Sequence, residues 1–219
     1  MRNLYSKHPR NTLMNKLSAA CLLACMPVLA SANIIPTFIG ATGAAGGPYT
    51  WDYAFTLSSD QDAHSGVFPT TPSVSHTDLS FGAFVTIYDF AGYVAGSCTS
   101  PAGWTCSAQN VGFTPDDVLP SDDSGETNVT WVYTSGPDLL GAPAGLELGR
   151  FTAVSLYSAG RLDSYTARGI KNNGPAKGTI ADNVGETLVP MGVPEPGTLV
   201  LAGAGLLMLS RRLVKRAAD

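Results

Sequence analysis

Apolar and polar residues alternate along residues 48–57, which places Tyr49, Trp51, Tyr53, Phe55 and Leu57 on one face. Five positions at period two predict a half-buried β-strand. Residues 79–90 repeat the pattern, with Phe81, Ala83, Val85 and Ile87 opposite Phe84, Thr86 and Tyr88. Residues 127–134 alternate less cleanly through Val129, Trp131 and Tyr133, and residues 146–156 and 178–189 are further candidate strands. Polar turn clusters separate these runs, at residues 58–60, 121–125 and 171–175. Between the two ends of the chain no helical period appears. Many short strands with aromatic and β-branched faces predict an all-β domain, an antiparallel β-sandwich or jelly-roll. Residues 40–47, small and glycine-rich, read as a linker or flexible first loop. No Lys-Ser/Thr follows them, so they do not form a phosphate loop.

The two ends differ from this body. Arg2, Lys7, Arg10 and Lys16 form a basic leader, an apolar run covers residues 17–26, and Pro27 precedes Ala30-Ser31-Ala32. A basic region, a short apolar region and a small-x-small site predict a secretory signal peptide over residues 1–32, cut after Ala32. The apolar run is shorter than the roughly 20 residues a spanning helix needs. A lipoprotein cut before Cys25 is a rival: Ala24 suits it, but Leu23 fits poorly and the apolar stretch continues to the later site.

At the other end, Val193-Pro194-Glu195-Pro196 is a stiff extended turn, because each proline fixes φ and removes a donor. Residues 199–209 are then apolar or small throughout, and Arg211, Arg212, Lys215 and Arg216 follow. Positive flanks stay on the cytoplasmic side, so the body would lie outside. As a helix the apolar run would reach about 16 Å, against a hydrocarbon core of about 30 Å. Such a segment suits a transient inner-membrane association better than a permanent anchor.

In the order of these three parts, residues 193–219 resemble the PEP-CTERM sorting domain. That resemblance implies recognition by an exosortase-like membrane enzyme, cleavage near the Pro-Glu-Pro motif, and delivery to the cell surface or extracellular matrix of a Gram-negative-type bacterium. It also implies a variable β-rich ectodomain, here residues 33–192, flanked by a signal helix and a short C-terminal apolar helix. It names no activity for that ectodomain.

Between the ends lie five basic and fifteen acidic residues, a net charge of −10. The whole-chain value of −4 conceals this. Nucleic acid is excluded as a partner, because phosphate binding needs clustered Lys and Arg. Cys98 and Cys106 are the only cysteines beyond the leader, and an even count in an oxidising compartment predicts a disulfide. Trp104, inside that loop, is the best candidate for an exposed ring that could stack on a polysaccharide. Trp51 and Trp131 fall in strand patterns and read as core.

Asp60-x-Asp62, Asp116-Asp117 and Asp122-Asp123-x-x-Glu126 supply carboxylates for calcium, though their spacing departs from an EF-hand loop and suits solvated turns. His64 sits in a turn-like stretch, and with His76 is one of two histidines outside the leader. Neither a Gly-x-Ser-x-Gly elbow nor a His-Glu-x-x-His helix is present, and no acidic pair stands out for glycoside hydrolysis. Catalytic, cofactor and metal residues are therefore expected to be none. Asn128-x-Thr130 matches a glycan acceptor and reads as empty. The expected function is structural or interactive at the surface or matrix. A carbohydrate-binding module is the first alternative and a secreted hydrolase the second.

Overall fold

The computed structural model describes residues 34–192, and all its regular elements are strands. In chain order these are β1 (Ile34–Gly43), β2 (Tyr49–Leu57), β3 (Gln61–Ala63), β4 (Ser73–Val74), β5 (Phe84–Ile87), β6 (Trp104–Gln109), β7 (Thr114–Pro115), β8 (Asn128–Tyr133), β9 (Leu139–Leu140), β10 (Leu146–Ser155), β11 (Gly160–Lys171) and β12 (Ile180–Pro190). The helices expected over 1–32 and 193–219 fall outside the described residues.

One antiparallel sheet has the order β1-β2-β10. The second runs β6-β8-β5-β11-β3-β9, with β12 paired along β11. Their inner faces share one core, so the fold is an antiparallel β-sandwich. The alternation in β2 is what builds it: Trp51, Tyr53, Phe55 and Leu57 are buried and face Phe151 and Ala153 of β10 across the register. Phe55 stacks on Phe151 with centroids 3.9 Å apart, and Trp131 meets Phe55 edge-on at 5.6 Å. The indole N–H groups of Trp51 and Trp131 are satisfied: Trp51 Nε1 donates to the Tyr157 carbonyl at 2.9 Å and Trp131 Nε1 to the Thr99 carbonyl at 3.0 Å.

The outer face of the second sheet is covered as well. Val74, Phe84 and Val132 form a second apolar cluster with Phe68, Phe81 and Phe113 from the loops folded over it. Beside it lies a row of hydroxyls. Thr86 Oγ1 is 2.9 Å from Thr130 Oγ1 and donates to the Phe113 carbonyl at 2.8 Å, while the Tyr88 hydroxyl is 3.0 Å from Thr166 Oγ1 and 2.6 Å from Thr114 Oγ1. Covering both faces explains why every residue of β5 and β8 is buried.

Three local readings change. Of residues 79–90 only β5 is a strand, and Phe81 belongs to the outer cluster rather than the inner face shared by Ala83, Val85 and Ile87. Residues 40–43, expected in a linker, continue β1 past a bulge after Phe38, and only residues 44–47 turn, closed by Gly47 N–H to the Ala44 carbonyl at 2.9 Å. Trp104, the best candidate for an exposed ring though equally placed to pack beneath its loop, opens β6 and is buried against Tyr133 and Phe151.

Cys98 and Cys106 are disulfide-bonded. Cys98 precedes Thr99, which bridges to Thr152 on β10, and Cys106 lies in β6 opposite Trp131 of β8. The bond thus fastens the edge of one sheet to the edge of the other. Closing so short a loop contributes about 2.5 kcal/mol in the chain-entropy model. The Cys98→Ser/Cys106→Ser protein is expected to lose about that much stability in chemical denaturation. An unchanged midpoint would show that the two edges hold without the bond.

Candidate functional site

Three polar clusters and the exit of the C-terminal tail are the candidate sites. The most buried cluster lies across β11 and β12, where the register sets Arg168 opposite Asp182. Arg168 Nε and Nη2 donate to the two carboxylate oxygens of Asp182 at 2.8 and 2.9 Å, and both side chains are buried. The guanidinium lies 5.3 Å from the Phe84 ring centroid, and its Nη1 has no hydrogen-bond partner among the described residues. Burial pushes Asp182 up to about 6, against the opposing effect of Arg168, with Asp117 adding to the rise.

The second cluster gathers acids around Arg161. Its guanidinium is 3.0 Å from Asp163, 3.2 Å from Glu126 and 3.8 Å from Asp89. Asp89 takes a left-handed backbone, φ +53°, and accepts the Asp123 N–H at 2.8 Å. Burial pushes its carboxyl up to about 6, and that hydrogen bond only partly offsets the rise. A guanidinium thus stands among the carboxylates where a cation would be neutralised.

The histidines lie elsewhere. His64 is 3.7 Å from Asp138 in an exposed pair. His76 Nδ1 is 2.6 Å from Asp116 Oδ1, which also accepts the His76 N–H at 2.9 Å. That side-chain bond raises His76, and the two bonds hold Asp116 below the usual carboxylate range. Beside His76 a groove of about 320 Å³ is bordered by Thr77, Leu79, Gly178, Thr179 and Ile180. Ser75 Oγ bonds Thr77 Oγ1, and among the described residues no hydroxyl hydrogen-bonds to the imidazole. A base without a paired nucleophile does not make a triad.

These shifts give stability a definite sign with pH. Asp89 and Asp182 titrate near 6 when folded and near 3.8 when unfolded, so the folded state binds more protons between these values. His76, raised above 6.5, contributes stability below that value and loses it as pH rises through its folded value. The lowered Asp116 and Asp78 contribute only above 3.8 and lose their share further down. The thermal midpoint is therefore expected to be several degrees higher at pH 5 than at pH 7.5. A midpoint that climbs steadily from pH 5 to 7.5 would contradict these assignments.

The acids singled out in the sequence are dispersed. Asp60 pairs with Lys171 at 3.1 Å, Asp62 accepts from Asn172 at 3.0 Å, and Asp122 accepts from Asn128 at 2.9 Å. Among the described residues no three His, Cys, Asp or Glu side chains converge to hold a metal. Asn128 is fully buried with its amide engaged, so it is closed to glycosylation. All three tryptophans are buried, and no described aromatic side chain is exposed. Sequence reasoning missed Arg168 and Arg161, because strand β11 was not recognised. Its Tyr165-Thr166-Ala167 segment between charged residues was the available signal.

Ala30, Ala32, Val193, Pro194, Glu195, Pro196, Arg211 and Arg212 lie outside the described residues. Ahead of residue 193, β12 stays in the core up to Val189 and Pro190, and the Met191 N–H donates to the Ala159 carbonyl at 2.8 Å. The chain following Gly192 matches a known family model, the PEP-CTERM protein-sorting motif, over residues 192–216. The chain carries a PEP-CTERM sorting tail. It is therefore an exported protein, sorted through its C-terminus and processed by an exosortase-type membrane enzyme. The matched residues include the Pro-Glu-Pro motif, the apolar run and Arg211-Arg212. No curated protein matches the chain. Among the described residues no helix is long and apolar enough to cross a membrane.

Proposed function

We propose that the protein is a structural or interaction component of the bacterial surface or extracellular matrix, with residues 33–192 as its mature domain. The observation that carries this reading is the attachment of the PEP-CTERM tail directly to the last strand of an acidic β-sandwich. The interior supports it too. The tryptophans that could have formed a sugar platform are used to build the core, and aromatic stacking on sugars needs exposed rings. The buried carboxylates Asp182 and Asp89 face Arg168 and Arg161 rather than a cleft. A body of net charge −10 is self-repelling and hydrated, which suits a dispersed matrix component. Calcium bridging by its surface acids is compatible with this role.

The test is location combined with loss of function. Antibody labelling of intact cells and of isolated matrix is expected to find the sandwich outside the outer membrane. A deletion strain is expected to grow normally in suspension while its matrix holds together less well. Retention of the protein in the periplasm would overturn the proposal. So would saturable hydrolysis of matrix polysaccharide by the purified domain, which would favour the hydrolase.

A further inference from the structure

We propose that the charge-free end of the first sheet is a membrane-facing surface, which rests against the lipid bilayer while the tail is still inserted. This inference rests on the sorting-tail reading. The tail leaves the domain at Gly192, beside the Tyr157 ring, with Met191 bonded to Ala159. Around that exit lie three loops. Residues 43–49 turn between β1 and β2, residues 155–160 follow β10, and residues 90–97 pack on them through Leu156 N–H to the Gly92 carbonyl at 2.9 Å and Val94 N–H to the Val154 carbonyl at 2.8 Å.

None of these loops, nor residues 190–192, holds a charged side chain, in a domain that carries fifteen acids. Their exposed residues are small or apolar: Ala44, Ala45, Pro48, Ala95, Ser158 and Leu156. Leu156 is 59% exposed. Charge resumes at the same end of the second sheet, where Arg161 meets Asp89, Glu126 and Asp163, with Asp122 and Asp123 in the loop before β8. The opposite end of the sandwich carries Asp60, Asp138 and Lys177 in its loops and Lys171 at the end of β11.

Tether length decides which end meets the membrane. Eight residues lie between Pro190 and Leu199, where the apolar run begins, and the nine steps across them reach at most about 32 Å. β12 alone, with 11 residues, is about 36 Å long. The domain cannot turn its far end to the bilayer on so short a tether. Pressing charged side chains against a bilayer costs them their hydration, and an uncharged face avoids that cost. Leu156 and Tyr157 then sit at the depth where apolar and amphipathic side chains favour the interface.

The test uses the exported chain with Pro194→Ala, Glu195→Gln and Pro196→Ala, which removes the processing motif, in intact spheroplasts. Hydroxyl-radical footprinting read by mass spectrometry compares Leu156 with Leu140, which is 60% exposed at the far end. Modification of Leu156 and Tyr157 is expected to fall about threefold or more on the membrane relative to the chain released by protease, with Leu140 unchanged. Adding Ala45→Glu and Ser158→Glu is expected to abolish that protection while the chain still sediments with membrane. Equal modification of Leu156 and Leu140 in membrane-bound chain overturns the proposal, as does protection that survives the two added acids. A chain that does not sediment with membrane overturns instead the inserted tail on which the proposal rests.

Discussion

Arg168→Met is expected to destabilise the sandwich by about 3–5 kcal/mol at pH 7.5, because it leaves the buried Asp182 carboxylate without its counter-charge. Asp182 makes two hydrogen bonds to that guanidinium and is closed to solvent, so water cannot take over the lost contacts. The loss should shrink at pH 5, where Asp182 takes up a proton and needs no cation. Replacing both partners, Arg168→Met/Asp182→Leu, should recover most of the stability, since an apolar pair of similar volume avoids both desolvation costs. Urea unfolding of the three proteins at both pH values checks this. A single variant within about 1 kcal/mol of the parent would mean that the pair behaves like an exposed one.

The second large effect is on sorting. Pro194→Ala/Glu195→Gln/Pro196→Ala removes the two fixed φ angles and the charge of the motif without touching the sandwich, whose last core residues are Val189 and Pro190. The exported chain is expected to keep its full C-terminus, to accumulate in the membrane fraction and to disappear from the surface and medium. Its unfolding midpoint, measured on the domain released by protease, should match the parent. Normal surface delivery of this variant would mean that the match at residues 192–216 does not act as the address.

The sandwich was legible where one face of a strand is wet. β2 alternates cleanly, because Thr50, Asp52, Ala54 and Thr56 lie on its outer face while the rings between them are buried. β5 and β8 blurred because the outer face of their sheet is roofed by loops carrying Phe68, Phe81 and Phe113, which makes both sets of alternate positions buried. β11 escaped notice for a related reason: Thr166 and Arg168 are polar yet buried, the first bonded to Tyr88 and the second to Asp182. Only pairing across a hairpin brings residues 168 and 182 together, and no local pattern announces that register. Position inside a cysteine loop leaves Trp104 free to pack beneath the loop or to stand exposed at its tip, and at the sheet edge the ring packs on the core against Phe151. The tail needed no register. Its information lies in the linear order of prolines, apolar run and arginines, which is why the sorting signal was readable and the ion pairs were not.

Sorting through the C-terminus is the central claim, and the mass of the mature C-terminal peptide tests it most directly. Mass spectrometry of the protein recovered from the cell surface and from the medium is expected to show a chain that ends near Pro194-Glu195-Pro196. A surface-delivered product that still carries Arg211-Arg212 would contradict it.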